Sequence, residues 1–599
     1  MIKKKLLWLV FLSAFFAGCE QLDQAPEATA TNAVVFGSER GLELYANSFY
    51  DVSPSTNSIL PSANSIHQGD AMADYAARTQ VPDFLRAGAF GPRQSTGWDW
   101  TALRNINYFL ANLNDPAISP TVLNHYRGIA RFFRAWFYFD KVKRFGDVPW
   151  ISKPMDIADP NLFNGRDPRT LVMDSVLADL NYACANITTT NDNSRSLITK
   201  YVAYAFKSRV CLFEGTFRKY HTEYKLESTA DAWLNEAVSA SDRVITEGGF
   251  SLNTAGGPDN SYRQLFTSQA PVSSEVILAA VADPALSVFN DANWWWTSAT
   301  YGARVSLIRT FVNTYLNLDG TPFTSKPGYE TMTFAQEVKG RDKRLQQTIR
   351  TGDYQRINGG VAEPAPPVFS YTYTGYQPIK WTLDDTYYDG GTRNNNSIST
   401  IRYAEVLLNH AEAKAELGTL TNQDWAQTVG ALRQRAGITA GLTMLPTVVD
   451  PYLQSRYFPN ISNPVLLEVR RERGIELVLE GLRFHDIIRW NRGELMEMEW
   501  NGFYVPALNQ PLDLNEDGVL DVAFYKELPS NRVAGVTYVN VAETLSGGTP
   551  NPQRLSNDTF GELTWLNNIP REWEAKYYLY PIPETDRLMN PNLGQNPGW

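Results

Sequence analysis

A chain of 599 residues is far longer than one ordinary domain, although a helical scaffold with insertions can stay continuous at that length. Apolar residues make up 43% and aromatics 13%, enough for a large core with rings left for function. The formal charge of -10 argues against a nucleic-acid partner, because phosphate binding needs a basic surface. The five histidines (His67, His125, His221, His410, His485) are scattered, which argues against a histidine-rich metal site.

The N-terminus has the form of a secretion signal. Lys3, Lys4 and Lys5 precede an apolar run from Leu6 to Phe16, too short to span a membrane as a mature helix. Phe16-Ala17-Gly18-Cys19 follows and resembles the lipobox of bacterial lipoproteins, with Phe16 where leucine is commonest. Residues 1–18 are therefore expected to be a signal peptide and Cys19 the lipidated residue. The alternative is an ordinary signal peptide with a chance cysteine. Residues 19–31 are polar and aperiodic, as a tether from lipid to body would be. Of the other cysteines, Cys184 and Cys211 fall in predicted helices. Outside the cytoplasm they can be a disulfide or buried free thiols.

Residues 32–250 read as a helical region. Ser38-Glu39 leads into an amphipathic helix over Gly41–Tyr50, and another begins near Thr101 after Trp98-Asp99-Trp100. In the stretch His125–Trp150, Ile129, Phe132, Phe133, Trp136 and Phe137 give an aromatic face at helical spacing, and Gly146 and Pro149 end it. That face is expected to pack between helices. Further helices are predicted at Leu171–Asn186, Lys200–Phe217 and Ala232–Thr246. Short helices joined by tight turns suggest helix-hairpin units of the tetratricopeptide kind. Residues 251–400 change to a loop-rich composition of Gly, Pro, Thr, Tyr and Trp, with a short strand at Glu275–Ala280 and a helix over Val305–Tyr315. Helices return in residues 401–599, at Ile401–Gly418 and Asp424–Ala436. Pro464–Gly493 follows, where Pro464 opens a helix and Arg483–Trp490 folds back after Gly481. Glu468, Glu472, Glu476 and Glu480 recur every four residues there. Like charges at that spacing repel, so the row needs arginines from elsewhere, and Arg402, Arg433 and Arg489 are candidates. The fold class is mainly α, a helix-pair scaffold with a large loop-rich insertion and minor short strands.

Several of these stretches together resemble the SusD/RagB family of outer-membrane glycan-binding lipoproteins of Bacteroidetes. Tyr577–Trp599 (YYLYPIPETDRLMNPNLGQNPGW) is similar to the family's C-terminal ending, and Val469–Trp490 to its RRxELxxEGxRxxDxxRW block. Arg131–Pro149 (RFFRAWFYFDKVKRFGDVP) resembles its RxxRAxxYFxLxxxFGDVP helix; Tyr315–Gly320, Arg341–Leu345 and Ile401–Glu416 fit as well. The resemblance implies four tetratricopeptide-like helix pairs and a variable loop-rich part that carries the ligand site. It also implies an outer-membrane anchor through lipid on Cys19, facing the cell surface. As its partner it implies a SusC-like TonB-dependent transporter to which captured glycan is delivered.

Binding a sugar without chemistry needs flat rings for the pyranose faces and planar polar groups for the hydroxyls. Trp294-Trp295-Trp296 lie in polar surroundings in the insertion, and three consecutive indoles point different ways. Trp98, Trp100, Tyr301 and Trp381 lie in similar loops. The expected ligand-binding residues are Trp98, Trp294, Trp295, Trp296, Tyr301 and Trp381. A second chemical signal is the run from Pro511 to Asp521: Asp513, Asn515, Asp517, the Val519 carbonyl and Asp521 stand at alternate positions around Gly518, as a calcium loop requires. Position 12 is Phe524, so the bidentate glutamate is missing. A structural Ca2+ and an Asx-rich turn are the two readings. No catalytic residue is expected: Gly-x-Ser-x-Gly, phosphate-loop and His-Glu-x-x-His motifs are absent. Peptide capture, as RagB-type relatives suggest, is the first alternative and a surface glycoside hydrolase the second.

Overall fold

The computed structural model describes residues 35–56, 72–297 and 304–599. The signal peptide, Cys19, the tether, His67 and Tyr301 lie outside the described residues.

The helices begin and end where local chemistry dictates. The Ser38 hydroxyl accepts from the Gly41 N–H at 3.1 Å and opens α1, Glu39–Ala46. Helix α2 spans Thr101–Asn112. Helix α3, Pro120–Phe145, has Ser119 as its cap and proline in its first turn, and stops at Gly146 with φ +74°. A Cβ on Gly146 would meet Leu579 Cδ1 at 2.7 Å, so glycine also makes room for the C-terminal segment. Helices α4 (Arg169–Asn186), α5 (Lys200–Tyr220) and α6 (Ala230–Glu247) complete two antiparallel pairs, α3 on α4 and α5 on α6. The aromatic face of α3 packs as expected: Trp136 stacks on Phe206 of α5 at 4.6 Å, and Phe132 meets it edge-on at 5.3 Å.

The insertion holds α7 (Ser261–Thr267) and α8 (Ala292–Thr297). Its strand Val276–Ala280 pairs antiparallel with Ile398–Arg402, and an exposed hairpin joins Gln355–Asn358 to Val361–Pro364. The predicted helix over residues 305–315 is mostly not one. Ser306–Leu307 pairs with Ala76–Ala77 across the molecule, leaving one turn, Arg309–Val312. Tertiary pairing overrides a periodic run of this length.

In the C-terminal part, Ile401 and Arg402 belong to the strand, so α9 starts at Tyr403 and runs to Glu416. The run Asn422–Arg435 that packs on it contains a π-helical stretch, Ala426–Gly430. Helix α10, Pro464–Glu476, is capped by Asn463 and lies against α9; α11, Arg483–Arg489, packs on α5. Between them Leu479 and Gly481 take left-handed backbone, φ +60° and +76°. Beyond α11 lies a three-stranded sheet of Gln553–Leu555, Gly561–Trp565 and Asn501–Val505. The last residues fold back on the start of the molecule: the Asn596 amide donates to the Phe145 carbonyl at 2.9 Å and to the Tyr580 carbonyl at 2.7 Å. One core runs through both halves. Cys184 and Cys211 are buried free thiols, and burial pushes the Cys184 thiol up to about 12. Among the described residues no helix is long and apolar enough to cross a membrane.

The glutamate row that runs along α10 and on to Glu480 is neutralised from several elements. Glu472 meets Arg344 at 2.6 Å and Arg433 at 3.0 Å. Glu476 meets Arg402 at 2.6 Å, Arg344 at 2.7 Å, and Arg435. Glu480 takes Arg402 and Lys380, both at 2.7 Å. Arg402 and Arg433 are thus the expected partners, whereas Arg489 bonds Glu412 and Asp486 instead. For Glu476, burial pushes the carboxyl up, but Arg435, Arg402 and Arg344 outweigh it and hold it well below the usual range.

Candidate functional site

A cavity of about 1070 Å3 lies between α1, α2, α3, α5 and α11, large enough for several sugar residues by the usual size of ligand pockets, roughly 300–1,000 Å3. Its wall combines flat rings with charged groups. Phe137, Lys141 and Arg144 stand four and three residues apart on α3, so they share a face. Tyr108 comes from α2, and Tyr580 from the segment that folds back over the end of α3. His485 of α11 faces the same space, with its Nε2 3.5 Å from Lys143 Nζ. Burial first, and then Lys143 and Arg209, hold that imidazole well below its ordinary pKa. It is neutral at physiological pH and serves as a hydrogen-bonding group, not as a charge.

The loop before α2 reaches the cavity. Gly97, Asp99 and Thr101 line it, and Asp99 accepts from the Thr101 N–H at 2.9 Å, which fixes the turn into the helix. Trp98, between them, is half-buried with its ring edge-on to Phe145 at 5.0 Å and Trp100 at 5.3 Å. Trp98 therefore borders the cavity while its indole rests on the scaffold. Trp100 packs on Phe137 at 5.6 Å.

Trp294, Trp295 and Trp296 form half of α8, whose pitch sends them three ways. Trp296 is buried, which corrects its expected place among the ligand-binding residues, and the other two are half-buried, edge-on to each other at 5.4 Å. The Trp295 indole donates to Asp291 Oδ2 at 2.8 Å. Asn293 anchors the helix by donating to the Leu383 carbonyl at 2.8 Å and Asp389 Oδ1 at 2.9 Å. None of the three indoles lines the cavity, so the structure does not bring them together with the Trp98 loop in one pocket. Trp381 is corrected outright. It is 1% exposed, its indole donates to the Leu479 carbonyl at 2.7 Å, and its ring meets Phe266 at 4.8 Å. It belongs to the core because the break after α10 leaves a carbonyl that it satisfies.

The loop 513–521 is closed by its own hydrogen bonds. Asp513 accepts from the Gly518 N–H at 2.9 Å, Asp517 from the Val519 N–H at 2.8 Å, and Asp521 from the Leu514 N–H at 2.7 Å. Asn515 donates to Asp517 at 2.9 Å. Burial first, then the charges of Asp513 and Asp517, raise the Asp521 carboxyl. Hard oxygen donors suit calcium, but here they already answer the loop's N–H groups, the geometry of Asx turns. Among the described residues no group of three or more His, Cys, Asp or Glu side chains is gathered as a metal-binding cluster.

Sequence reasoning missed the cavity wall on α3. The signal was present, since Lys141 and Arg144 interrupt an otherwise aromatic helix end on one face. Those aromatics read equally well as packing, and only the position of α2 and Tyr580 shows which face stays open.

With this geometry in hand, the comparisons with known proteins decide the family. The model of the SusD family matches residues 285–599. The chain belongs to the SusD family. A further family model, described as starch-binding associating with outer membrane, matches residues 89–212, the segment that supplies α2, α3 and close to half of the cavity wall. SusD-like protein P2 of Formosa agariphila is 25% identical over 82% of this chain and 92% of its own length. Two solved structures from Bacteroides fragilis share the fold. One is a SusD-like protein with TM-score 0.66 and 20% identity, covering 95% of this chain and 99% of the other. The second, a SusD-like carbohydrate binding protein, has TM-score 0.66 and 18% identity over 94% and 100%. As a SusD-family member the chain has the helical, tetratricopeptide-like scaffold that its sequence implied.

Proposed function

We propose that this protein captures a glycan at the outer membrane without transforming it and passes it to a SusC-like TonB-dependent transporter, held in place by lipid on Cys19. The observation that carries the capture is the cavity of about 1070 Å3, whose wall alternates rings such as Tyr108 and Phe137 with hydrogen-bonding groups. Rings of this kind suit pyranose faces. The description of a matched relative as carbohydrate binding and the outer-membrane description of the family model over residues 89–212 support the same reading.

Affinity electrophoresis in gels cast with different polysaccharides tests it. The protein should be retarded by at least one polysaccharide, and Tyr108→Ala should weaken that retardation more than Trp294→Ala or Trp295→Ala, which lie outside the cavity. Trp98→Ala tests the bordering loop. Unchanged mobility of a folded Tyr108→Ala variant rejects the cavity as the site. Product analysis on the same polysaccharides, and a peptide library beside them, would reveal hydrolysis or peptide capture instead. Mass spectrometry of the mature chain reads the lipid, and co-purification of a transporter reads the partner. Calcium at the 513–521 loop is a separate proposal. Calorimetry after chelation should show heat on adding calcium, and its absence leaves the loop as an Asx turn.

A further inference from the structure

Most cations that line the cavity are neutralised in place. Arg209 pairs with Glu405 at 2.6 Å, Arg473 with Asp486 at 2.8 Å, Arg489 with Glu412 at 2.6 Å, and Lys143 with Asp140 at 2.8 Å. Lys141 and Arg144 differ. Among the described residues neither forms an ion pair with a carboxylate. Lys141 Nζ donates to the Gly97 carbonyl at 2.5 Å and lies 4.9 Å over the Phe137 ring. Arg144 reaches Thr96 Oγ1 at only 3.4 Å and lays its guanidinium 4.6 Å over Tyr580, while its Nε is buried without a hydrogen-bond partner.

The backbone holds the two cations together. Gly97 has φ +91°, and a Cβ there would meet Arg144 Nη1 at 3.0 Å, so glycine lets the loop pass close to Arg144 while its carbonyl accepts from Lys141. Burial is the main cause pulling the Lys141 ammonium down to about 8; Asp99, Asp140 and Asp586 oppose it, and the Arg144 charge adds to it. The wall therefore contains two partly desolvated like charges, three residues apart on one helix face, bordered by flat rings. A single anion placed between them would relieve their repulsion, and a guanidinium binds carboxylate or sulfate oxygens in a fork.

We infer that the cavity takes an acidic oligosaccharide, with a carboxylate or sulfate ester held by Lys141 and Arg144 and an adjoining sugar ring against Phe137 or Tyr108. The inference rests on the glycan-capture reading and narrows it to a ligand class. A neutral glycan has no group that offsets the cation pair.

The test uses the full-length chain in detergent on an array of neutral and acidic oligosaccharides. Calorimetry follows with oligogalacturonate, a sulfated carrageenan oligosaccharide, and methyl-esterified oligogalacturonate as the neutral control. We expect acidic probes to be preferred, and the carboxylate and sulfate arms tell which anion is used. Affinity should fall with added salt, and Lys141→Gln and Arg144→Gln should each weaken acidic binding about tenfold or more. The salt dependence is measured on the unsubstituted chain, so it stands even if Arg144→Gln misfolds. Preference for neutral glycans, or acidic binding that survives Lys141→Gln without salt dependence, overturns the inference and leaves glycan capture standing. A folded protein that binds nothing on the array overturns both.

Discussion

Arg402 shows how much one side chain can hold together. From the strand that precedes α9 it bonds Glu476 at 2.6 Å, Glu480 at 2.7 Å and Glu275 at 3.0 Å, all buried, and it also donates to the Glu476 carbonyl at 2.6 Å. Removing one partner of a buried ion pair leaves a desolvated charge uncompensated, at a cost of about 3–5 kcal/mol. Arg402→Met should therefore lower stability by about that amount in chemical denaturation, without changing glycan retention, because Arg402 does not line the cavity. A change well under 1 kcal/mol would mean that Arg435 and Arg344 compensate on their own. The row of glutamates made arginine partners legible from spacing alone. Which arginines they were was not: Arg344 and Arg435 lie 132 and 41 positions from Glu476 in the chain, and no local pattern marks them.

At the scale of elements, periodicity located α4, α5 and α6 closely, whereas α3 begins at Pro120, ahead of the expected His125, because Ser119 caps it. The ends of α3, α4, α5 and α6 follow from Ser119, Gly146, Thr199 and the apolar repeat. What was not legible was set by pairing across the molecule. Ser306–Leu307 is a strand only because Ala76–Ala77 lies beside it, and Ile398–Arg402 only because Val276–Ala280 does. The candidate site divides in the same way. Trp98 stands in the loop whose neighbours Gly97 and Asp99 line the cavity, with its own ring packed on Phe145 and Trp100. Trp381 is core because the α10–α11 break presents it with the Leu479 carbonyl, a contact that no composition of the surrounding loop reveals. The cavity itself is a space between five helices, and a sequence does not state which sides of its helices remain apart.

For the whole molecule, the buried carboxylates set a direction for acid stability. Burial raises Glu476, Glu480, Glu412, Asp486 and Glu214, but neighbouring arginines, joined by Lys380 at Glu480, outweigh it and depress each one. Glu337 runs the other way, raised mainly by burial. A group with a depressed folded pKa stabilises the fold above its unfolded value, about 4 for carboxylates, and loses that contribution as pH falls toward the folded value. Thermal unfolding should thus be nearly independent of pH above about 5 and drop steeply below about 4; a melting temperature that holds down to pH 3 would contradict this. The same molecule carries a second, temporal consequence in its returning tail. The carbonyl of Phe145 receives its hydrogen bond from Asn596, 451 positions later, and that of Arg144 from the Tyr580 N–H at 2.7 Å. A helix made early in synthesis is finished by residues made late, and contacts of such separation slow folding. Until they arrive, the cation-bearing end of α3 is an open terminus, so the cavity wall is completed only when almost the entire chain has left the ribosome.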